Sequence, residues 1–196
     1  SPAKGIRCMR PHRLLATRRS LWWLSAIWTG TTIWRPGIVR PLSKNADPCT
    51  GGADDYPRLL TEESIPSAEK ESNGVSLWRG LAGHSLAGLF ALYSIYQTDL
   101  FSRVGSMSGS LWFPGMKEYI FSHEPKRRPD HMYISLGDKE SKTRNTVLKT
   151  VQQNTEEIRA FYHSKGIDTV FQLNPGNHYN HAVERTAAGI VWMLNR

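Results

Sequence analysis

The chain has 196 residues, 39% hydrophobic and 21% charged, a composition typical of one soluble globular domain with a core of its own. No apolar run approaches the roughly 18 residues that cross a bilayer, which excludes an integral membrane protein. The net charge of +8 arises from residues 1–46, which contain nine Lys or Arg and no Asp or Glu, whereas residues 47–196 are nearly balanced. A basic face for nucleic acid is therefore not a property of residues 47–196.

Two segments of the chain differ in character. Residues 1–46 follow no clear structural pattern and are predicted to be a basic segment of doubtful fold, while residues 47–196 form the predicted domain. The Arg-rich start and the apolar run at 21–28 also fit a targeting peptide, although no small-residue cleavage site follows. The two cysteines, Cys8 and Cys49, are too few for a disulfide framework, which favours a reducing compartment and so a cytoplasmic protein.

Helices and strands are predicted to alternate from about residue 54 onward. Residues 54–71 suit a helix interrupted at Pro66, and residues 86–97 are apolar over too long a stretch for a strand. Residues 144–163 place an apolar stripe, beginning at Val147, on one side of a helix. In chain order the predicted elements are a helix at 54–71, a strand at 75–82, a helix at 86–97, strands at 101–109 and 131–137, a helix at 144–163, a strand at 168–173 and a helix at 181–194.

This alternation predicts the fold class. A parallel pair of strands needs a crossover connection, which is usually a helix. The repeated order of strand and helix therefore predicts an α/β fold, with a mostly parallel sheet and helices on both faces.

The stretch GHSLAGLFALY, residues 83–93, places a serine between small residues where a predicted strand meets a predicted helix. A serine at the tip of such an elbow has a strained backbone, so the residues two positions away must be small, as Gly83 and Ala87 are. Ser85 is therefore a candidate nucleophile, and the backbone N–H of Leu86 is a candidate oxyanion donor. The alternative is that Ser85 only caps the helix.

A serine nucleophile needs a histidine base and an acid that orients the base, and loops after two later strands supply candidates for both. Asp138 and Glu140 follow the third predicted strand. We favour Glu140, because Asp138 lies directly after the strand and suits closure of the turn by its own side chain. His178 and His181 follow the fourth strand, and we favour His178, because His181 begins the last helix.

A metal site is the alternative interpretation of the histidines, because His178, His181 and Glu184 recur at three-residue intervals. Zinc proteases instead use two histidines four residues apart with a glutamate beside the first, and this stretch lacks that glutamate. We therefore expect no metal and no cofactor.

Three stretches together resemble a known family: GHSLAGLFALYSIYQTDLFSRVGSMSGSLWFPG, SLGDKESKTRN and NPGNHYNHAVERTAAG. They are similar to the esterases of the α/β-hydrolase superfamily that are related to esterase D and to the enterochelin, or siderophore, esterases. The similarity runs from about residue 41 to the end of the chain. It implies Ser85 as nucleophile, His178 as base and Glu140 as acid.

The resemblance also implies where a substrate binds. The loop SGSLWFPG, residues 108–115, is expected to line the substrate pocket, with Trp112 and Phe113 as apolar walls. We expect His84, beside the nucleophile, to line the pocket too. The expected partner is a small-molecule ester, and neither nucleic acid nor a membrane is expected.

The resemblance breaks upstream of residue 41. Family members have several more strands before the elbow, and the loop after the third supplies a second oxyanion donor. They also carry a stretch like LDWNHDMAP where this chain has WTGTTIWRPGIV, residues 28–39. Suitable codons for TGTTIWRP, shifted by one nucleotide, encode DWNHDMAP. We therefore expect residues up to about 40 to be translated in a shifted frame, so that the family's N-terminal part is missing.

The predicted function is that of a serine hydrolase that cleaves carboxylic esters through an acyl-enzyme. Weak activity or none is expected, because the early strands and one oxyanion donor are missing. The alternative is a non-catalytic binding protein of the same fold. An open sheet edge would also favour association into a homo-oligomer.

Overall fold

The computed structural model describes residues 15–17, 20–22, 58, 60–72 and 76–196. The chain divides into two compact units, residues 1–76 and 77–196. The predicted boundary between residues 46 and 47 lies outside the described residues and stays a prediction, as does the shifted frame.

In the first unit the structure describes two short strands and one helical segment. β1 (Leu15–Thr17) and β2 (Ser20–Trp22) pair antiparallel with each other. A π-helical turn, Leu60–Ser64, leads into α1 (Ile65–Ser72). Pro66 lacks the backbone N–H that would continue the hydrogen-bond ladder, which explains the change of helix type at this junction.

Four parallel strands form the sheet of the second unit. In spatial order they are β3 (Gly80–His84), β4 (Arg103–Met107), β5 (His131–Gly137) and β6 (Asp168–Asn174). The register pairs Gly80 with Arg103, Arg103 with His131, and His131 with Asp168, so the four strands start level with one another. Their carboxyl ends meet at one edge of the sheet, where ligands bind in open α/β sheets.

Helices cover both faces of this sheet: α2 (Leu86–Gln97), α3 (Met116–Ser122), α4 (Val151–Ser164) and α5 (Ala182–Leu194). A Cβ added to Gly88 in α2 would lie 3.0 Å from Ser106 Oγ, and one added to Gly105 would lie 2.7 Å from Met193 Sδ in α5. Neighbouring residues of a strand point to opposite faces, so α2 and α5 lie on opposite sides of β4. The predicted α/β fold is confirmed.

The core lies mainly under α2, which is apolar along its whole length. Leu89, Phe90, Leu92 and Ile95 are each at most 1% exposed. Burying such a side chain stabilises the fold by about 1.5–3 kcal/mol. The Tyr96 hydroxyl lies 3.0 Å from that of Tyr162 in α4 and 3.4 Å from the carbonyl oxygen of Ile120 in α3, which joins three helices.

The start of the first sheet strand differs from the prediction. A buried strand was predicted at 75–82, but β3 begins at Gly80 and Leu77 is 96% exposed. Trp78 precedes the strand, and the Cζ atom of the Arg103 guanidinium lies 3.7 Å from the centroid of its ring. The apolar character of Leu77 and Trp78 therefore extended the predicted strand beyond the true ladder.

Two helices also differ from the prediction. A 3₁₀ turn, Leu148–Thr150, precedes α4, so Val147 lies outside the α-helix and is 36% exposed rather than part of its buried stripe. The short helix α3 was not predicted. Its seven residues are too few to show a convincing helical period, although Met116 and Ile120 are buried.

Candidate active site

The turn between β3 and α2 carries Ser85, whose backbone has φ 61° and ψ −123°. A non-glycine residue in such a sparsely populated region costs about 1–3 kcal/mol, and the surrounding contacts must impose it. The N–H of Ser85 donates to Met107 O at 3.1 Å, and its carbonyl oxygen accepts from the N–H groups of Leu89 and Ser110 at 3.1 and 3.0 Å. These bonds hold Ser85 at the carboxyl edge of the sheet.

The small residues around Ser85 are a steric requirement of this turn. A Cβ on Gly83 would lie 2.4 Å from the carbonyl carbon of Ala87 and 2.6 Å from its Cβ. Contacts this short are not tolerated, so α2 starts where it does only because residue 83 lacks a side chain. The predicted elbow is present, with the serine at its tip.

The strain at Ser85 has a measurable consequence. We expect Ser85→Gly to unfold with a free energy about 1 kcal/mol higher than Ser85→Ala, because glycine adopts a positive φ without a Cβ clash. Both variants lack the hydroxyl, so Ser85→Ala is the matched control. Urea unfolding monitored by circular dichroism measures the difference. Equal stabilities of the two variants would show that the turn is not strained.

The loop after β6 brings His178 to the serine. His178 Nε2 lies 3.0 Å from Ser85 Oγ, and His178 Nδ1 lies 2.7 Å from Glu140 Oε2. The imidazole thus lies between a hydroxyl and a carboxylate. The Glu140 side chain is 3% exposed and that of His178 is 26% exposed, so the carboxylate is shielded from solvent and the histidine is partly accessible.

Hydrogen bonds stabilise Glu140 as a carboxylate. Burial opposes its ionisation, but hydrogen bonds from His178, from the Ser108 hydroxyl and from the Gly137 N–H outweigh burial and lower the pKa of Glu140 below its ordinary range. The Ser108 hydroxyl and the Gly137 N–H each donate to Glu140 Oε1 at 2.7 Å. Since the carboxylate accepts from Nδ1, the proton of a neutral His178 ring lies on Nδ1, and Nε2 is left to accept from Ser85.

The second acid candidate has a different place. Asp138 Oδ1 accepts a hydrogen bond from the Gly176 N–H at 2.7 Å, and the Lys139 N–H donates to Gly176 O at 3.0 Å. Asp138 therefore ties the loop after β5 to the loop after β6. The second histidine candidate, His181, is the residue before α5, is exposed and has φ 52°. Of the two predicted pairs, the structure brings Glu140 and His178 together.

Two further predicted site residues flank Ser85 in sequence. Leu86 is the first residue of α2, so its N–H belongs to the first turn, where helical N–H groups have no intrahelical acceptor. His84 ends β3, and its ring centroid lies 4.8 Å from that of His178. Within the described part of the chain, His84 Nε2 is a buried polar atom without a hydrogen-bond partner.

The position of His84 predicts a pH dependence of stability. Burial lowers the pKa of His84 from its ordinary value of 6.5, and the neighbouring His178 lowers it further. Because the unfolded chain then binds the proton more readily, stability contributed by neutral His84 is lost as the pH falls from about 6.5 through the folded-state pKa. Urea unfolding between about pH 7.5 and about pH 5.5 should therefore show a smaller loss of stability for His84→Asn than for wild type. Parallel pH curves would contradict this expectation.

The two predicted apolar walls differ in exposure. Trp112 is partly buried, whereas Phe113 is only 3% exposed, and their ring centroids are 6.3 Å apart. Trp112 thus offers surface to a ligand, while Phe113 is part of the buried core. Their roles in substrate binding stay predictions.

The metal alternative was based on His178, His181 and Glu184. Among residues the structure describes, no group of three or more His, Cys, Asp or Glu lies close enough to hold a metal ion. His178 is hydrogen-bonded to Ser85 and Glu140 instead.

Of the described helices, none has both the length and the hydrophobicity to cross a membrane.

Arg185 was not predicted at the site, and Ser108 was predicted only as part of the loop 108–115 that lines the pocket, without a role toward the acid. Ser108, with φ 46°, donates to Glu140 Oε1, and Arg185 Nη1 lies 3.2 Å from the same oxygen. These contacts span 32 and 45 residues of the chain. Local sequence carries no signal for them, because a serine in a Gly/Ser loop and an arginine in a helix are common surface residues.

Comparison of the sequence with known proteins gives one family and one curated relative. The sequence profile of the "Putative esterase" family matches residues 33–184. The uncharacterized protein YbbA of Bacillus subtilis is 26% identical over 110 residues, which cover 55% of this chain and 44% of that protein. This chain therefore spans less than half the length of that relative.

Solved structures with the same fold include three hydrolases. An IroE-like serine hydrolase from Shewanella oneidensis superposes with a TM-score of 0.65 at 20% identity, over 82% of this chain and 55% of that one. The enterobactin esterase FES from Shigella flexneri superposes with a TM-score of 0.59 at 19% identity, over 72% of this chain and 38% of that one. The siderophore hydrolase EstB from Aspergillus nidulans superposes with a TM-score of 0.53 at 18% identity, over 84% of this chain and 65% of that one.

At these identities the structural likeness shows the fold, and it agrees with the parallel sheet described above. The family match covers most of the chain and includes all three of the Ser85, Glu140 and His178 positions. The chain belongs to the "Putative esterase" family, with an α/β-hydrolase-like fold.

Proposed function

We propose that this protein is a serine hydrolase that cleaves carboxylic esters of small molecules through an acyl-enzyme intermediate on Ser85. The observation that carries the proposal is the continuous line of hydrogen bonds from Ser85 Oγ through His178 to Glu140. Membership of an esterase family supports an ester bond as the one that is cleaved.

In the first half of the proposed reaction, Ser85 Oγ attacks the carbonyl carbon of the ester while His178 Nε2 takes the hydroxyl proton. Glu140 stays ionised and stabilises the imidazolium that forms. When the tetrahedral intermediate collapses, the imidazolium gives its proton to the leaving alkoxide, and the alcohol departs. The acyl group is then bonded to Ser85.

In the second half, water attacks the acyl carbon while His178 Nε2 accepts a proton from the water. Collapse of this second tetrahedral intermediate returns the proton to Ser85 Oγ and releases the carboxylic acid. No cofactor takes part, because each step moves only protons and one acyl group.

The negative charge that develops on the ester oxygen needs donors in place. Leu86 is proposed as one, because its N–H lies at the N-terminus of α2, where the helix dipole is positive. Among the described residues, the Leu86 N–H is the backbone donor that the turn between β3 and α2 provides for the ester oxygen. Loss of a single oxyanion donor typically slows such reactions about 10²–10³-fold, so we expect slow turnover wherever Leu86 acts alone.

A fluorophosphonate probe tests the proposal, because it reacts with activated serines and leaves ordinary hydroxyls unmodified. We expect peptide mass spectrometry to find the probe on Ser85, and Ser85→Ala to remain unmodified. Ser122→Ala is the control and should still carry the probe on Ser85, because Ser122 is an ordinary exposed serine at the end of α3. Folded wild-type protein without modification at Ser85 would overturn the proposal and favour a non-catalytic binding protein.

A further inference from the structure

Arg185, in the second turn of α5, is a buried cation at the back of the site. Its side chain is 3% exposed. Nη1 donates to Glu140 Oε1 at 3.2 Å, and Nη2 donates to the backbone oxygens of Asn177 and His178 at 2.8 and 3.2 Å. One guanidinium thus bridges the loop that carries the acid and the loop that carries the histidine.

A guanidinium in this place is costly for the fold. Burying a charge is unfavourable unless it is paired, and well-packed apolar residues often replace buried ion pairs without loss of stability. In the described part of the chain, Arg185 Nε is buried without a hydrogen-bond partner, so the pairing is incomplete. Stability alone is therefore a weak reason for an arginine here.

The charge of Arg185 acts on the pair that it touches. Hydrogen bonds lower the pKa of Glu140 and favour its carboxylate, and the guanidinium of Arg185, which donates to Oε1, offsets that negative charge. Without the guanidinium, the pair would carry an unbalanced negative charge that favours proton uptake by the ring. A protonated ring cannot accept the hydroxyl proton of Ser85.

We propose that Arg185 is a positioning residue of the hydrolase site, which fixes the backbone of His178 against the carboxylate of Glu140 and keeps the ring available as a base. This inference rests on the function proposed above. Among the described residues, the titratable side chains that face the His178 ring are Glu140 at 2.7 Å, His84 at 4.8 Å and Tyr179 at 5.1 Å, the last two measured between ring centroids. Arg185 lies against its backbone oxygen.

Two variants separate the charge of Arg185 from its shape. We expect Arg185→Met to lower kcat about 10-fold or more with little change in KM, and to move the acidic limb of the kcat/KM profile about one unit to higher pH. Arg185→Lys should restore the position of the limb, because it keeps the charge. It should restore kcat only in part, because an ammonium lacks the planar fork that reaches both loops.

The control variant is Arg127→Met, which removes an exposed arginine on the segment before β5, at the opposite edge of the sheet from the site. It should leave the profile unchanged. If Arg185→Met is unfolded, Arg185→Gln serves instead, since its amide donates to backbone oxygens without a charge. An acidic limb that stays in place in the folded neutral variant would overturn the proposal, even if its melting temperature falls.

A second measurement does not depend on turnover. The proton shared by His178 Nδ1 and Glu140 should give a far-downfield proton resonance, and the neutral variants at position 185 should shift or broaden it. An identical resonance in wild type and a folded neutral variant would overturn the role of Arg185. If the protein does not react at Ser85 but the resonance still responds to the substitution, the proposed function fails and the positioning role of Arg185 stands.

Discussion

His178→Asn is expected to lower kcat for p-nitrophenyl esters by about 10⁴-fold, or to the rate of the uncatalysed reaction. The asparagine side chain cannot take a proton from Ser85 Oγ, which lies 3.0 Å from Nε2 of the native ring. Without a base, the hydroxyl is a poor nucleophile at neutral pH. Initial rates of p-nitrophenol release, corrected for the rate without protein, measure the effect.

His181→Asn is the matched control for this prediction. His181 is exposed and has a positive φ, a conformation that asparagine tolerates better than most residues. The same chemical change three residues away should therefore leave both folding and rate close to wild type. Comparable losses in the two variants, or no loss in His178→Asn, would contradict the assignment of His178 as base.

Glu140→Gln is expected to lower kcat about 10²–10⁴-fold. In a Ser-His-Asp triad, replacing the acid by its neutral amide lowers kcat by as much as about 10⁴-fold. Glutamine is neutral, so it cannot stabilise the imidazolium. Its amide can also donate to Nδ1, which would put the ring proton on Nε2, where it blocks proton transfer from Ser85. Steady-state kinetics with the same esters measures the effect, and a circular dichroism spectrum confirms that the variant is folded.

Asp138→Asn is the matched control for Glu140→Gln. The asparagine retains an oxygen that can accept the hydrogen bond from the Gly176 N–H, so the loop after β5 stays joined to the loop after β6. We expect less than about a 10-fold change in kcat. A larger loss in Asp138→Asn than in Glu140→Gln would make Asp138 the acid and would contradict the geometry of the site.

Local sequence was enough to locate Ser85, because the requirement that it meets is local. Gly83 and Ala87 must be small for the backbone to turn from β3 into α2, and both lie within two residues of the serine. The alternation of strands and helices was predictable for the same reason. The apolar length of α2 and of β5 is visible in the sequence without knowledge of their neighbours.

The boundaries of elements were less predictable, because tertiary contacts set them. β3 begins where pairing with β4 begins, and not where the apolar residues Leu77 and Trp78 begin. In the same way, the 3₁₀ turn places Val147 outside α4, although its spacing fits the helical stripe. Apolar periodicity reports which residues could be buried, and the fold decides which of them are.

Position in the loop was enough to favour Glu140 over Asp138, but the distances that give each of them its role are contained in no local pattern. A Cβ on Gly137 would lie 2.4 Å from Gly176 O, so the two loops approach as closely as their backbones allow. Because the loops lie so close, the short Asp138 side chain accepts from the Gly176 N–H, and the longer Glu140 side chain reaches the His178 imidazole. Arg185 was missed because its partners come from both loops, and only the assembled sheet edge brings them together.

Trapping of the acyl-enzyme tests whether Ser85 is the nucleophile. Wild-type protein is mixed with a p-nitrophenyl ester, quenched in acid during the first turnover, and digested for peptide mass spectrometry. We expect one acyl group per chain, bonded to Ser85 and absent from Ser85→Ala. Release of p-nitrophenol with the acyl group on another side chain, or with no acyl group on Ser85, would contradict it.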